Sequence, residues 1–165
     1  MQKEDLTSLK DILENQKDNF QSLLKIAEKK RDEIIENNVE RLKELVEEEN
    51  EIVSDLEELE SERIELVKLL QGKLDIQEEK ISYSELIENL PDGWKDKLQP
   101  VREGLLSIIE KVHIQNQENK VLIQEALRLN NFSINMFTKM VDVDIYTKEG
   151  TAENTGSRHI IDRRG

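Results

Sequence analysis

The sequence predicts an all-α protein: an elongated antiparallel three-helix coiled-coil bundle with a short connector helix and a flexible C-terminal tail. The first observation is that apolar residues recur at spacings of three and four over long stretches, which places them along one side of a helix. The second is the composition, since 37% of the 165 residues are charged and only 4% are aromatic. Such a chain favours helices that pack on one another, because a single amphipathic helix is marginal in water.

Residues 1–72 are predicted to form a two-helix coiled-coil segment with a turn near residues 37–38. The two apolar stripes are out of frame by one residue, and "ENNVERL" lies between them. Asn37 and Asn38 are poor inside a helix and good at its start, and Glu40 follows Asn37 at capping-box spacing. One continuous helix with a local change of winding is the alternative. The stripes are Leu6, Leu9, Leu13, Phe20, Leu23, Ala27 and Ile34, then Leu42, Leu45, Ile52, Leu56, Leu59, Leu66 and Leu70.

Residues 73–93 are predicted to be a connector that contains a short helix. Gly72 is expected to end the second long helix as its C-cap, because glycine tolerates the left-handed conformation found there. Ser82 and Glu85 have the spacing that caps a short helix. Pro91-Asp92-Gly93 is a turn sequence, so the chain should change direction just before Trp94.

A third long helix is predicted for residues 94–141 and a flexible tail for residues 142–165. Pro100 either marks the true start of this helix or kinks a longer one, because proline cannot donate the internal hydrogen bond. The ending "VDIYTKEGTAENTGSRHIIDRRG" has no helical period and includes Gly150 and Gly156. It is therefore predicted to be nonhelical.

Charge and residue usage exclude several classes of protein. The net charge of −13 argues against nucleic acid as a partner, since a binder must neutralise phosphates with a concentrated basic surface. No cysteine occurs, which excludes disulfides and thiolate metal sites. The charged start "MQKEDLTSLKDILEN" does not resemble a signal peptide, and no apolar run approaches the length of a membrane span. We expect a cytoplasmic protein without direct membrane insertion.

No catalytic motif is present, so we expect no enzyme, no catalytic residue and no cofactor. Glu110 and His113 have the spacing with which di-iron bundles place two ligands on one helix face. A metal pair needs a second such unit, and the other histidine, His159, has no matching glutamate. The sequence favours a half-exposed histidine beside a surface carboxylate, and no metal site.

Polar residues interrupt the apolar stripes at several positions. Glu49 and Arg63 occupy stripe positions, where a charge either pairs across the seam or marks an opening to solvent or a partner. Gln115, Asn116 and Asn119 interrupt the third stripe, the apolar residues that recur along the third helix from Trp94 through Val112 and from Leu122 to Met140. They favour a buried amide layer that fixes helix register over a polar notch in a groove.

The end of the third stripe concentrates large flexible and aromatic side chains. Phe132, Met136, Phe137 and Met140 lie within "NNFSINMFTKM". Such a cluster is ordinarily core, but methionine and phenylalanine at a helix end also suit an adaptable surface for partner helices. Both interpretations remain open at this point.

The order of these segments resembles the FlgN family, the flagellar export chaperones of the hook-filament junction proteins. The segments are "LLKIAEKKRDEIIENNVERL", "LEELESERIEL", "IIEKVHIQNQENKVLIQEAL" and "IYTKEG", followed by a basic end. The likeness covers nearly the whole chain, although extra connector around residues 72–93 departs from it. The family patches correspond to Glu60 with Arg63 and to Asn116 with Asn119. The tyrosine and glycine of the tail correspond to Tyr146 and Gly150.

The resemblance implies a cytoplasmic chaperone that keeps hook-associated proteins soluble and delivers them to the type III export gate. The C-terminal half would bind the client's C-terminal helix. Tyr146 and Gly150 would dock on the cytoplasmic domain of the export-gate membrane protein. We expect the client to contact the apolar residues of the third helix, namely Leu122, Leu129, Phe132, Met136, Phe137 and Met140.

The alternative function is a structural coiled-coil protein that associates with itself as a scaffold. The two functions differ in whether the exposed stripe binds a secreted client or a second copy. Polar residues interrupt the seams too often for a long self-dimer, so a monomer or weak dimer is expected. The interrupting residues are Gln16, Lys30, Glu49, Arg63, Gln115 and Asn119.

Overall fold

The computed structural model describes the backbone of residues 2–74 and 82–161, and the side chains of residues 3–74 and 82–143. Four helices account for most of this part of the chain, and it contains no strand. They are α1 (Gln2–Ile35), α2 (Val39–Lys73), α3 (Tyr83–Glu88) and α4 (Lys95–Ile161). The predicted all-α class is confirmed.

Helices α1 and α2 form an antiparallel hairpin that turns at the asparagine pair. Asn37 takes a positive φ of 57°, a conformation that asparagine tolerates better than most residues. Asn38 is the N-cap of α2, because its side-chain oxygen accepts a hydrogen bond from the backbone N–H of Arg41 at 3.3 Å. The antiparallel register is marked by three polar pairs between the helices: Asp5 with Lys73, Gln16 with Glu60, and Lys30 with Glu49.

Helix α3 packs in the same apolar cluster as the start of α1. Ser82 and Glu85 form the expected capping box at the start of α3, with a hydrogen bond in each direction. The turn that follows is closed by a 3.2 Å hydrogen bond from the Trp94 N–H to the Pro91 carbonyl. Gly93 has a φ of 83° there, which is the conformation that makes glycine the suitable residue.

From Lys95 to Asn119, α4 lies parallel to α1 and antiparallel to α2. Gly104 of α4 lies against the side chain of Lys17, and Asn119 contacts Ala27, so residue numbers rise together along α4 and α1. All four helices contribute to one buried apolar cluster. Its buried members are Leu6, Leu9, Leu13, Leu70, Leu86, Ile87, Trp94, Leu98, Leu105 and Ile108.

The structure corrects the predicted cap at Gly72 and decides between the two alternatives for Pro100. Gly72 does not cap α2, because the helix continues to Lys73 and Leu74 is the C-cap, with its N–H bonded to the Leu70 carbonyl. Pro100 does not start α4, which begins at Lys95 and contains the proline. Near a helix start the missing donor removes only one internal hydrogen bond, so a proline can be accommodated there.

The predicted nonhelical tail is also corrected. The backbone of α4 continues from the third stripe through Tyr146, Gly150 and Gly156 to Ile161. Extending an existing helix adds one hydrogen bond for each residue ordered, whereas starting a helix is costly. Each internal glycine costs about 1 kcal/mol relative to alanine, which is not enough by itself to end a long helix. Residues 162–165 lie outside the described part of the chain.

The chain divides into two units, Met1–Leu122 and Ile123–Gly165. The first unit contains the hairpin, α3 and the apolar cluster. The second contains the C-terminal part of α4. None of the helices in the described part of the chain combines the length and apolar character that a membrane span requires.

Candidate functional site

The second unit presents a densely apolar helix surface to solvent. Every described side chain from Leu127 to Val143 is exposed, including Phe137 at 69% and Phe132 at 62% relative accessibility. Single exposed apolar residues are common on proteins, but a contiguous group of this kind usually marks a binding surface. This part of α4 is therefore the candidate site.

Most of the predicted client-binding residues lie on this exposed surface. Leu129, Met136 and Met140 are exposed together with the two phenylalanines, whereas Leu122 is half-buried and ends the first unit. The alternative in which the phenylalanines and methionines form core does not hold within the described residues, because none of them is buried. Their exposure fits the binding interpretation, and binding itself remains a prediction.

Most exposed apolar residues of the second unit, together with Asn130, fall into two stripes. Stripe A consists of Leu129, Phe132, Met136 and Met140, and stripe B consists of Ile123, Leu127, Asn130, Ile134, Phe137 and Val141. At about 100° per residue, the centres of the stripes are about 140° apart around the helix axis. Both stripes follow spacings of three and four, the pattern of residues that pack against a neighbouring helix.

Stripe B, apart from Phe137, was not predicted from the sequence. A single apolar frame along the third helix includes Leu122, Leu129 and Met136 but does not include the residues of stripe B that lie between them. The signal for stripe B was available in its own regular spacing, from Ile123 through Ile134 to Val141.

Hydroxyl groups close to the stripes are already satisfied within the helix. Ser133 Oγ donates to the Leu129 carbonyl and Thr138 Oγ1 donates to the Ile134 carbonyl, each at 2.9 Å. These bonds reduce the cost of covering the hydroxyls, because a hydroxyl that already donates within the helix leaves no unpaired donor. An apolar partner can therefore cover this surface at a low desolvation cost.

Glu60 and Arg63 form a polar layer between α1 and α2. The Arg63 guanidinium donates to both Glu60 carboxylate oxygens, at 2.8 and 2.6 Å, and Gln16 Nε2 donates to Glu60 at 3.1 Å. The hydrogen bond from Arg63, aided by that from Gln16, lowers the pKa of Glu60, although partial burial opposes the shift. The hydrogen bond to Glu60 in turn raises the pKa of Arg63. Arg63 thus pairs along its own helix, and Glu60 makes the contact across the seam.

Asn119 forms a second polar contact, between α4 and α1. It is buried, at 3% accessibility, and its Nδ2 donates to the Ala27 carbonyl at 2.7 Å. Gln115 Nε2 donates to Asn119 Oδ1 at 3.1 Å, which satisfies the other end of the amide. Asn116 is exposed and lies outside this layer. The expected buried amide layer therefore consists of Gln115 and Asn119 without Asn116.

The structure does not gather the four family-patch residues at one place. Glu60 contacts α1 at Gln16, whereas Asn119 contacts it at Ala27, about 16 Å further along at about 1.5 Å per residue. Both contacts tie a second helix to α1. Glu60 and Asn119 therefore hold helices together inside the first unit.

Glu49, the other charged stripe residue, pairs across the seam. Its carboxylate accepts a hydrogen bond from Lys30 Nζ at 2.7 Å, and both side chains are largely shielded from solvent. The position is therefore closed by an ion pair between α1 and α2. Glu49 therefore pairs with a residue across the seam and does not mark an opening to solvent or to a partner.

The remaining predicted site residues are placed as follows. Glu110 and His113 are both exposed on α4, and no group of three or more acidic or histidine side chains in the described part of the chain could hold a metal ion. Tyr146 and Gly150 lie on the helical backbone of α4. The side chain of Tyr146 is outside the described residues, so its predicted docking role remains a prediction.

Together, these features define a helical-bundle protein with a polar-layered core and one exposed helix surface suited to binding other helices. A family model, described as FlgN protein, matches residues 1–154, and the chain belongs to this family. The family is one of flagellar export chaperones, which are binding proteins and not enzymes. Neither the curated proteins nor the solved structures gave a match to the chain.

Proposed function

We propose that this protein is a cytoplasmic export chaperone that binds hook-associated proteins of the hook-filament junction, keeps them soluble and delivers them to the flagellar type III export gate. The observation that carries the proposal is the exposed apolar surface of stripes A and B in a member of the FlgN family. A surface of this size would favour aggregation if it had no partner.

The client's C-terminal helix is the proposed ligand of this surface. Recognition of an amphipathic helix requires apolar anchors at spacings of three and four, which the stripes supply. Three of the four side chains of stripe A are methionine or phenylalanine, and flexible methionine side chains adapt to partners of different shape. These properties suit a chaperone that holds a segment destined for later assembly.

The first experiment mixes the purified protein with candidate hook-filament junction proteins and looks for a co-eluting complex. Phe137→Asp should abolish capture, because it places a charge in the contact, while helix content stays unchanged. The matched control is Asn131→Asp, which adds the same charge on the polar side of the same helix segment. If no junction protein co-elutes with the parent chain, the chaperone proposal is wrong.

Delivery is assigned to the C-terminal end of α4. The family correspondence of Tyr146 and Gly150 supports docking of this end on the cytoplasmic domain of the export-gate membrane protein. Tyr146→Ala should leave client binding and thermal midpoint nearly unchanged but cause junction proteins to accumulate in the cytoplasm. Tyr146→Phe should be milder if ring burial dominates. Normal secretion from the Tyr146→Ala strain would contradict the docking role.

Self-association as a scaffold is the competing function. It predicts that stripes A and B are covered by a second copy, so the free protein would be a stable dimer or larger assembly. The proposed chaperone is a monomer or weak dimer. A mass measurement in solution at several concentrations distinguishes the two.

A further inference from the structure

The exposed apolar arc of the second unit is wider than one partner helix can cover. From Phe132 on one edge to Leu127 on the other, it extends about 220° around the helix axis at about 100° per residue. A helix that packs against one neighbour typically has an apolar stripe of roughly 100°. The arc therefore corresponds to two such stripes side by side, in agreement with the separate spacings of stripes A and B.

We propose that the client occupies stripes A and B with two different helices at the same time. This inference rests on the proposed function and extends it: the client binds as a two-helix element, of which its C-terminal helix covers one stripe and a second helix covers the other. One helix cannot contact both stripes, because their centres are about 140° apart.

Stripe B has the sequence features of a coiled-coil seam in its own right. Its residues follow a regular alternation of four and three, and the third of its six positions is Asn130. A single asparagine in an apolar seam fixes register by requiring a polar partner on the facing helix. The client helix on stripe B should therefore carry one hydrogen-bonding side chain opposite Asn130. Stripe A has no such residue, so the two stripes select different helices.

The charge distribution favours a client over a second copy of this chain. Residues 123–165 contain equal numbers of acidic and basic side chains, so residues 1–122 carry the whole net charge of −13. Pairing two copies would bring two strongly acidic first units into one assembly, which repulsion opposes. The second unit itself is neutral and apolar, so its occupant is an amphipathic helix pair that needs no basic surface.

Three consecutive residues provide a matched test. Ile134 lies in stripe B, Met136 lies in stripe A, and Asn135 between them lies on the polar side of the helix. All three are exposed, so a substitution by aspartate adds the same charge at nearly the same place without disturbing the buried core. Circular dichroism of each variant checks that the helix content is retained.

The probe is the junction protein that co-elutes with the parent chain. Ile134→Asp and Met136→Asp should each weaken its binding by at least about 30-fold, whereas Asn135→Asp should change it less than about threefold. A synthetic peptide of the client's C-terminal helix should respond to only one of the two stripe substitutions. We therefore expect both stripe substitutions to weaken binding of the full client and only one of them to weaken binding of the peptide.

Other outcomes overturn the inference in distinguishable ways. If only one stripe substitution weakens the full client, one helix is bound, and the chaperone function still stands. If neither does, the surface is not the client site. If Ile134→Asp converts a dimer to a monomer without affecting client affinity, stripe B belongs to a second copy. Failure of the parent chain to bind any junction protein would contradict the proposed function itself.

Discussion

The side-chain amide of Asn119 donates a 2.7 Å hydrogen bond to the backbone carbonyl of Ala27, which joins the middle of α4 to α1 inside the buried seam. The contact fixes the axial position of this part of α4 relative to α1, because a shift along the helix axis would leave the amide buried without hydrogen-bond partners. Gln115 completes the arrangement by donating to the amide oxygen.

Asn119→Asp should destabilise the first unit strongly. A carboxylate cannot donate to the Ala27 carbonyl and would be buried against it, so we expect a loss of about 2–4 kcal/mol in the free energy of unfolding. Asn116→Asp is the matched control, because Asn116 is exposed on the same helix; it should change stability by less than about 0.5 kcal/mol. Urea unfolding of both variants provides the comparison. Equal effects would mean that the amide layer does not hold α4 in place.

Glu60→Gln should alter how stability depends on pH. The hydrogen bonds from Arg63 and Gln16 hold the folded-state pKa of Glu60 below its ordinary value of 4.5. The carboxylate therefore stabilises the fold fully above about pH 4.5, and this contribution is lost as the pH falls through the folded-state pKa. The parent should be more stable than the variant near neutral pH, and the difference should shrink below about pH 4.5.

Urea unfolding at several pH values measures this difference. Glu58→Gln serves as the control, since Glu58 is exposed on the same helix and its removal takes away the same charge without touching Gln16 or Arg63. At neutral pH the control should change stability by less than about 0.5 kcal/mol. A difference between parent and Glu60→Gln that does not vary with pH would argue against a charge-dependent role for Glu60.

Lys30 and Glu49 should show strong coupling in a double-mutant cycle. Their side chains are only 14% and 20% exposed, so removing one partner leaves the other charge poorly solvated. Lys30→Met and Glu49→Leu should each cost about 2 kcal/mol, while the double variant should recover most of the parent stability. Additive losses would show that the pair contributes no interaction of its own.

Two glycines should respond to alanine with opposite signs. Gly72 lies inside α2 with open space around an added Cβ, so Gly72→Ala should stabilise the protein by about 0.5–1 kcal/mol. Gly93 has a φ of 83°, so Gly93→Ala should destabilise it by about 1–2 kcal/mol despite equally open space. Thermal midpoints of the two variants test the contrast, and shifts in the same direction would contradict it.

Local sequence signals predicted the turn between α1 and α2 and the start of the short helix α3. The asparagine pair carries its own turn and cap chemistry, and Ser82 with Glu85 forms a reciprocal cap that depends on neighbouring residues only. Such features need no knowledge of distant contacts. The all-α class followed in the same way from the spacing of apolar residues.

What the sequence did not predict depends on contacts between distant residues or on competing small energies. Periodicity locates apolar faces, but it does not tell which face will lack a neighbour, so the exposure of Phe132 and Phe137 was undecided. The spacing of residues along the sequence also does not predict the contact between Gln16 on α1 and Glu60 on α2. The extent of α4 beyond residue 141 depended on whether two glycines outweigh helix propagation, a difference of about 2 kcal/mol.

The burial of Trp94 gives the first unit an intrinsic optical reporter. It is the single tryptophan of the chain, it lies in the apolar cluster, and the Lys97 ammonium sits 4.8 Å from its ring centroid. Its fluorescence emission should shift to longer wavelength when the cluster opens to water. Stripes A and B contain no tryptophan, so emission from this one indole records assembly of the hairpin and connector. A single fluorimeter trace can thus follow the folding of the first unit without any label.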